Sequence, residues 1–408
     1  MEKMEVKLGS LSFFTLWFGA AISIAEIFSG GLIAPLGFKK GVLAILIGHF
    51  LGTFIFVLGG IIGSKEKVSA INSTEKSFGI YGKKLFGILN VLQLVGWTAV
   101  MIKSASSSLN AISVELWQFN NNIIWSAFIG VLVILWIWHG NKGIKYVNGV
   151  AVTLLLGLML FVAYFIFKNP AELNKTVEGA MSFGAAIEIS AVMPLSWLPL
   201  AADYTRQGTS VKKDAIGSFL GYFLGSSFMY IIGLGAAIVI GNSDIGTILL
   251  GVNLGVIALG VVVLSTVTTT FLDAYSAGVS FLSITNKFKE KSVAISMTII
   301  GFGLALFFPI ETYESFLYAI GSVFAPLFSI VLTDYFILKR KLEKSIKVDP
   351  VALLNWIVGV GCYYGFVKLD FVLGATVPVM IIVSTLYIVC RKIFNSRKFI
   401  IEDSNRIA

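Results

Sequence analysis

Three clusters of polar residues stand out against an otherwise apolar chain. In LSTVTTTFLDAYSAG, Ser265, Thr269 and Asp273 recur at every fourth position, with Thr268 alongside. On a helix that interval puts their oxygens on one face. Hydroxyl and carbonyl oxygens are hard ligands suited to Na⁺, although threonines in membrane helices also bond to their own backbone. Asp273 adds a carboxyl group, and an ionisable group at membrane depth is a functional candidate by default. In FGILNVLQLVGWTAVMI, Asn90, Gln93 and Trp97 share a face by the same rule. An amide beside an indole suits a flat heterocycle, which stacks on the ring while the amide reads its edge. The same spacing also fits a polar contact between helices beside a packing tryptophan. The third cluster is Glu26 in WFGAAISIAEIFSGGLIAPLGF, a run weakened by Gly19, Ser23, Gly30 and Gly31. A carboxylate at mid-membrane costs about 2.5–3.5 kcal/mol, so Glu26 must meet a cation, a polar ligand, water or a packing partner.

The element that has to position these groups is the stretch from 182 to 206, SFGAAIEISAVMPLSWLPLAADYTR. It has the length of a membrane span but is interrupted by Pro194 and Pro199, each of which removes a backbone donor. Ser190 and Ser196 flank the breaks, and Glu188 brings a carboxyl group into the span. Broken backbone survives in a bilayer only against protein or a water-filled cavity. Paired broken helices are how secondary transporters build substrate and ion sites. A kinked helix without a ligand is the plain alternative. Asp203 and Arg206 in ADYTR read as an ion pair at the end of this span.

Composition sets the wider frame. Of 408 residues, 57% are hydrophobic and 13% charged, against about 25% charged in soluble domains. The chain reads as a polytopic membrane protein. Twelve apolar runs have spanning length: about 12–37, 41–63, 84–112, 123–139, 146–167, 182–204, 215–241, 251–284, 292–308, 312–337, 351–367 and 371–391. The eighth is too long for one straight span, so ILLGVNLGVI is expected to be a surface or re-entrant piece. With the N-terminus in the cytoplasm, internal segments hold 25 lysines and arginines and external loops 5. That asymmetry puts both termini in the cytoplasm of a cell-membrane protein. It also accounts for the net charge of +9 without nucleic acid. Residues 65–83 read as a cytoplasmic loop or surface helix. Gly217, Gly221 and Gly225, like Gly48 and Gly52, recur at every fourth position and suit close helix packing. Cys362 and Cys390 suggest neither disulfide framework nor metal site. His49 and His139 read as lone histidines at or near helix ends. No cleavable leader is expected, because the first apolar run is long and leads into a glycine-rich segment. No phosphate-binding loop and no nucleophile–base pair is evident, so the chain does not read as an enzyme. A channel would need a continuous polar pore, whereas the polar residues gather at mid-depth.

Together these residues resemble the nucleobase:cation symporter-1 family, the purine–cytosine permeases, over about residues 10 to 340. The resemblance is carried by FGAAISIAEIFSGGLIAPLGF, LQLVGWTAVMI, ADYTR and TTTFLDAYSAG. Within the family the chain is most similar to the hydroxymethylpyrimidine permease branch called CytX, with cytosine permease a near relative. The resemblance implies an all-α protein of twelve transmembrane helices, with a LeuT-type 5+5 inverted repeat, broken helices 1 and 6, and two C-terminal helices. Its implied division is a cytoplasmic tail over 1–11, repeats over 12–168 and 169–338, two added helices over 339–393 and a cytoplasmic tail over 394–408. It implies cation-coupled import of hydroxymethylpyrimidine or cytosine by alternating access. Na⁺ is the expected coupling ion, with H⁺ coupling, another small heterocycle or an amino acid as alternatives. Carried over, the sodium ligands fall on Gly19, Ile22, Ser265, Thr268 and Thr269. The substrate contacts fall on Ser23, Trp97, Pro194 and Ser196, with Gln93 one residue from the family's amide. Relatives have an aromatic where this chain has Pro194, so Met193 or Trp197 would supply the second wall. Glu26 and Asp273 are not features of the whole family and would read an exocyclic amine or ring nitrogen. No cofactor is implied, and oligomeric state is left open.

Overall fold

The computed structural model describes residues 9–139, 141–242, 244–251, 254–285, 287–307, 309, 312–340 and 346–407. The described residues form helices and connecting turns, without strands. In chain order the helices are α1 (Ser10–Ala21), α2 (Ile24–Leu32), α3 (Phe38–Glu66), α4 (Ala70–Ser73), α5 (Glu75–Trp117), α6 (Asn122–His139), α7 (Asn141–Phe167) and α8 (Phe183–Ser196). They continue as α9 (Leu198–Thr205), α10 (Val211–Val239), α11 (Ile245–Gly251), α12 (Gly255–Ile284), α13 (Glu290–Ala305), α14 (Tyr313–Leu332), α15 (Pro350–Leu369) and α16 (Thr376–Ile407). Among the described residues, 8 helices are long and apolar enough to cross a bilayer, or 9 with the bent pair at the N-terminus taken as one span.

That bent pair is α1 and α2, which meet at 58° when α2 is followed through Leu36. The break has a local cause. Ser23 is extended, at φ −135 and ψ 160, and its N–H turns to the Ala21 carbonyl at 2.9 Å. The helical ladder therefore stops, and Gly19 loses the donor four residues on. The sixth span, expected to be interrupted at Pro194 and Pro199, is interrupted more narrowly than the first. Pro194 is accommodated inside α8. The interruption is one tightened turn at Trp197, whose φ −86 and ψ −14 stay right-handed. Its N–H bonds to the Pro194 carbonyl at 3.2 Å, and Pro199 falls in the first turn of α9, where its missing donor is not needed.

Backbone-to-backbone packing holds these pieces against their neighbours. A Cβ on Gly233 of α10 would lie 1.9 Å from the Ile27 carbonyl oxygen of α2, and one on Gly30 only 2.1 Å from that of Tyr230. The fourfold-spaced glycines pack the same way: Gly221 lies against Phe14 of α1, and Gly52 against Ala191 of α8.

Several boundaries differ from the sequence reading. The third span begins at Glu75, and inside it Gly79 takes φ +79 where Ile80 and Tyr81 donate to the carbonyls of Ile346 and Lys347. Residues 65–83, read as a loop or surface helix, are helix ends and a short helix. The piece before the eighth span is a separate helix, α11, with Ile245, Ile248 and Leu249 buried. Helix α16 continues to Ile407, through the stretch assigned to a C-terminal tail. Most of the N-terminal tail, residues 1–8, lies outside the described residues. At the start of α15, Asp349 caps the helix through Ala352 N–H and pairs with Arg340 at 2.9 Å and Arg391 at 2.6 Å. Burial pushes the Asp349 carboxyl up, but Arg391 and the Ala352 N–H outweigh it and hold the group below the ordinary aspartate value.

Candidate functional site

A cavity with about 330 Å³ of non-atom space lies where the α1–α2 break faces α5, the α8–α9 turn and α12. Its polar lining comes from Ser23, Glu26, Ser196, Thr269 and Asp273. The apolar lining is Ala25, Trp97, Met101, Met193 and Trp197.

The aromatic wall is fixed in place. Trp97 is 6% exposed and is held edge-on by Tyr313 and Phe316, with ring centroids 6.0 and 5.4 Å away. Trp197 stands across the cavity and packs edge-on against Trp17 at 5.8 Å. Trp17 in turn packs against Phe56 and Tyr204, closing that side with a cluster of rings.

The polar groups divide into engaged and free. Glu26 is buried and engaged: it accepts from Tyr222 at 2.8 Å and is hydrogen-bonded to Ser226 at 2.7 Å, both on α10. Ser196 donates to the Met193 carbonyl at 2.6 Å. Asp273 is only 4% exposed, and among the described residues its carboxyl has no hydrogen-bond partner. It is the free acidic group of the cavity.

Two residues expected at the substrate lie elsewhere. Gln93 does not line the cavity; its Nε2 donates to the Ser196 carbonyl at 2.7 Å and ties α5 to the end of α8. Asn90, one turn away, donates to Ser280 at 2.8 Å and to the Pro199 carbonyl at 3.3 Å. Pro194 faces α3, where its ring packs against Gly52. The positions beside it in sequence, Met193 and Trp197, face the cavity instead. Asp203 and Arg206 do not pair: the Asp203 carboxyl accepts from Ala70 N–H at 3.0 Å, and Arg206 Nε donates to the Asp203 main-chain carbonyl at 3.1 Å. Glu188 is buried away from the cavity, against the loop before α16.

Of the expected cation ligands, Ser265 and Ile22 come together at the α1–α2 break. Ser265 Oγ approaches the Ile22 carbonyl at 3.4 Å, and Thr269 reaches the cavity wall. The Gly19 carbonyl is freed of its usual donor by the turn at Ser23. Thr268 is the exception, since its hydroxyl bonds back to Leu264 at 2.8 Å and Ser265 at 3.0 Å. His49, read as near a helix end, is wholly buried in the middle of α3. It meets Ser226 through Nε2 at 2.5 Å. An ionisable residue deep in an apolar run was a signal for it; Met101 carried no such signal.

Comparison with known proteins bears on the whole chain. The family model described as permease for cytosine/purines, uracil, thiamine, allantoin matches residues 2–389. A cytosine permease of Escherichia coli is 24% identical over 392 residues, covering 93% of this chain and 92% of that protein. An allantoin permease of Bacillus subtilis is 25% identical over 378 residues, covering 81% and 76%. Among solved structures, the nucleobase-cation-symport-1 family transporter Mhp1, closed with bromovinylhydantoin bound, superposes with a TM-score of 0.81 at 20% identity, covering 94% of this chain and 92% of that one. A Na⁺-coupled sialic acid symporter superposes with a TM-score of 0.68 at 14% identity, covering 94% and 88%. These two likenesses speak to the fold.

Proposed function

We propose that this chain, which belongs to the family of permeases for cytosine/purines, uracil, thiamine and allantoin, is a secondary active importer of an aminopyrimidine. Hydroxymethylpyrimidine, the thiamin precursor, is the first candidate cargo and cytosine the second. The observation that carries this reading is the unpartnered, buried Asp273 carboxyl lining the same cavity as the Trp97 ring. An aminopyrimidine presents an amine next to a ring nitrogen. A carboxyl group matches that edge, with one oxygen accepting from the amine and the other sharing a proton with the ring nitrogen. The indole face supplies the stacking surface.

The arrangement consistent with this role is twelve spans in a cell membrane, both termini cytoplasmic, with inverted repeats over 12–168 and 169–338 and two added helices. Na⁺ would sit between the α1–α2 break and α12, on the Gly19 and Ile22 carbonyls and the Ser265 and Thr269 hydroxyls. Thr268 contributes only by turning its hydroxyl away from its own helix. Na⁺ favours the form open outward, substrate permits closure, and rocking of one bundle opens the site inward. One charge crossing 100 mV supplies about 2.3 kcal/mol, or roughly fortyfold accumulation. H⁺ is the rival coupling ion.

The test is uptake of labelled cytosine by the purified protein in liposomes. Hydroxymethylpyrimidine, purines and amino acids serve as competitors, with sodium present or replaced by choline. Pyrimidines should compete and amino acids should not; competition by amino acids alone would reassign the cargo. Uptake that ignores sodium and collapses with the pH gradient would reassign the ion. Trp97→Ala should weaken cytosine binding by about 1 kcal/mol, roughly fivefold, through loss of stacking. Unchanged affinity removes Trp97 from the site. Thr269→Ala should raise the sodium concentration for half-maximal uptake several-fold, about what one hydroxyl ligand contributes, while the protein elutes and melts like the parent. A sodium dependence identical to the parent's takes Thr269 out of the ion site.

A further inference from the structure

Glu26, Ser226 and His49 come from α2, α10 and α3 and form one continuous hydrogen-bonded chain. Ser226 Oγ lies 2.7 Å from Glu26 Oε2 and 2.5 Å from His49 Nε2. Both ends are anchored, by Tyr222 on Glu26 Oε1 at 2.8 Å and by the Ile45 carbonyl on His49 Nδ1 at 3.0 Å. All three residues are buried, yet Glu26 also borders the cavity.

Counting hydrogens constrains this chain. A carbonyl can only accept, so His49 Nδ1 carries a hydrogen. Ser226 has one hydrogen and two neighbours able to take it. Were Glu26 a carboxylate beside a neutral imidazole, one buried acceptor would go unmet. Full satisfaction needs one further proton, on Glu26 Oε2 or on His49 Nε2. The first arrangement is neutral at both ends; the second is a buried ion pair bridged by a hydroxyl. With no charge to compensate, the neutral arrangement avoids desolvating two ions. The titratable groups facing the chain are Tyr222 and Tyr230 on α10, Tyr313 on α14 and Asp273 on α12 across the cavity. None of these is a cation.

We propose that Glu26, Ser226 and His49 share a single proton, and that a cation entering the cavity moves it from Glu26 to His49. The Glu26 Oε2–H bond breaks as that hydrogen joins Ser226 Oγ. The original Ser226 O–H bond breaks as its hydrogen forms an N–H bond on His49 Nε2. No proton enters or leaves the protein. The cavity wall gains a carboxylate that faces the arriving cation, Na⁺ or a protonated pyrimidine, and the displaced positive charge rests on α3 behind it. The idea rests on the cation-coupled reading above.

Infrared difference spectroscopy and ¹⁵N-histidine NMR on the purified full-length protein read the two ends separately. The chain has 2 histidines, so His139→Asn leaves only the His49 signals. At neutral pH without ligand, a protonated carboxyl band absent from Glu26→Gln is expected, with a neutral His49 carrying its hydrogen on Nδ1. Adding sodium chloride in place of choline chloride should remove the band, protonate His49 Nε2 and release no proton to an indicator dye. A resting carboxylate at Glu26 beside a neutral His49 overturns the proposal. So does release of one proton per bound Na⁺, or unchanged spectra while sodium-driven cytosine uptake proceeds. Ser226→Ala cuts the link and should raise the sodium requirement about tenfold, with Ser226→Thr restoring it; equal behaviour of the two variants also counts against the relay. If neither sodium nor cytosine binds, the import reading fails alone, and the resting spectra still decide where the proton sits.

Discussion

Asp273→Ala should abolish concentrative uptake of cytosine and weaken its binding by roughly a hundredfold. The figure follows from the chemistry of the edge being read. Hydrogen bonds to a charged or proton-sharing carboxyl contribute about 1.5–3 kcal/mol each, and an aminopyrimidine offers two positions to the same group. A cavity built around such a pair also discriminates strongly, because removing either partner strands the other. The informative comparison is therefore a cycle of two proteins and two ligands. Pyrimidin-2-one is cytosine without its amine. It keeps the ring nitrogen and loses only the amine, so the variant should bind it about tenfold more weakly than the parent does, whereas cytosine should separate the two proteins about hundredfold. If the variant loses both ligands equally, Asp273 shapes the cavity rather than reading the amine. If it binds cytosine like the parent, the carboxyl does not touch the cargo. Asp273→Asn adds a finer reading, since an amide keeps one donor and one acceptor. Retained binding in Asn and loss in Ala would mean that the group pairs in its neutral form.

How far the sequence foretold this cavity can be judged residue by residue. Trp97 and Asp273 were legible because a single rule, helical spacing within an apolar run, picks out the face that carries them. That rule says nothing about which neighbour the face meets. Gln93 shares the Trp97 face but lies one turn lower, where the Ser196 carbonyl takes its amide. Pro194 was legible as an interruption, yet its direction depends on the one-residue turn at Trp197, which aims the proline at Gly52 and its neighbours at the cavity. Glu26 was legible as a carboxyl in need of a partner, but its partners stand nearly 200 positions along the chain, on α10. His49 was discounted as lying near a helix end, although it already fell well inside the 41–63 run. In α3, which runs from Phe38 to Glu66, the residue falls near the middle. The break in α1–α2 was better signalled than the one in α8–α9, because glycine and serine loosen a helix on both sides whereas a proline's lost bond can be absorbed within a turn.

Glu188 is the case where a correct suspicion pointed to the wrong task, and it yields the largest expected effect on stability. Its carboxyl is buried and accepts four hydrogen bonds. Tyr363 and the Thr376 hydroxyl serve Oε1, and the N–H groups of Ala375 and Thr376 serve Oε2 at 2.7 and 2.8 Å. The two N–H groups open α16, so an anion also faces the positive end of that helix. Gly374, at φ +73, brings the loop so close that a Cβ there would lie 2.5 Å from Glu188 Oε2. One side chain of α8 thereby fastens the two C-terminal helices to the body of the protein. Glu188→Ala leaves these donors buried without an acceptor, at a cost of about 3 kcal/mol or more. Glu188→Gln should cost less, because its amide can offer oxygen to the two N–H groups and hydrogens to the two hydroxyls. The order expected in thermal melts of the detergent-purified protein is parent, then Gln, then Ala, with the Ala variant also the most readily cleaved in the loop between α15 and α16. A Glu188→Ala protein that melts with the parent would mean that water or another group replaces the carboxylate, and that α15 and α16 are held by their apolar faces alone.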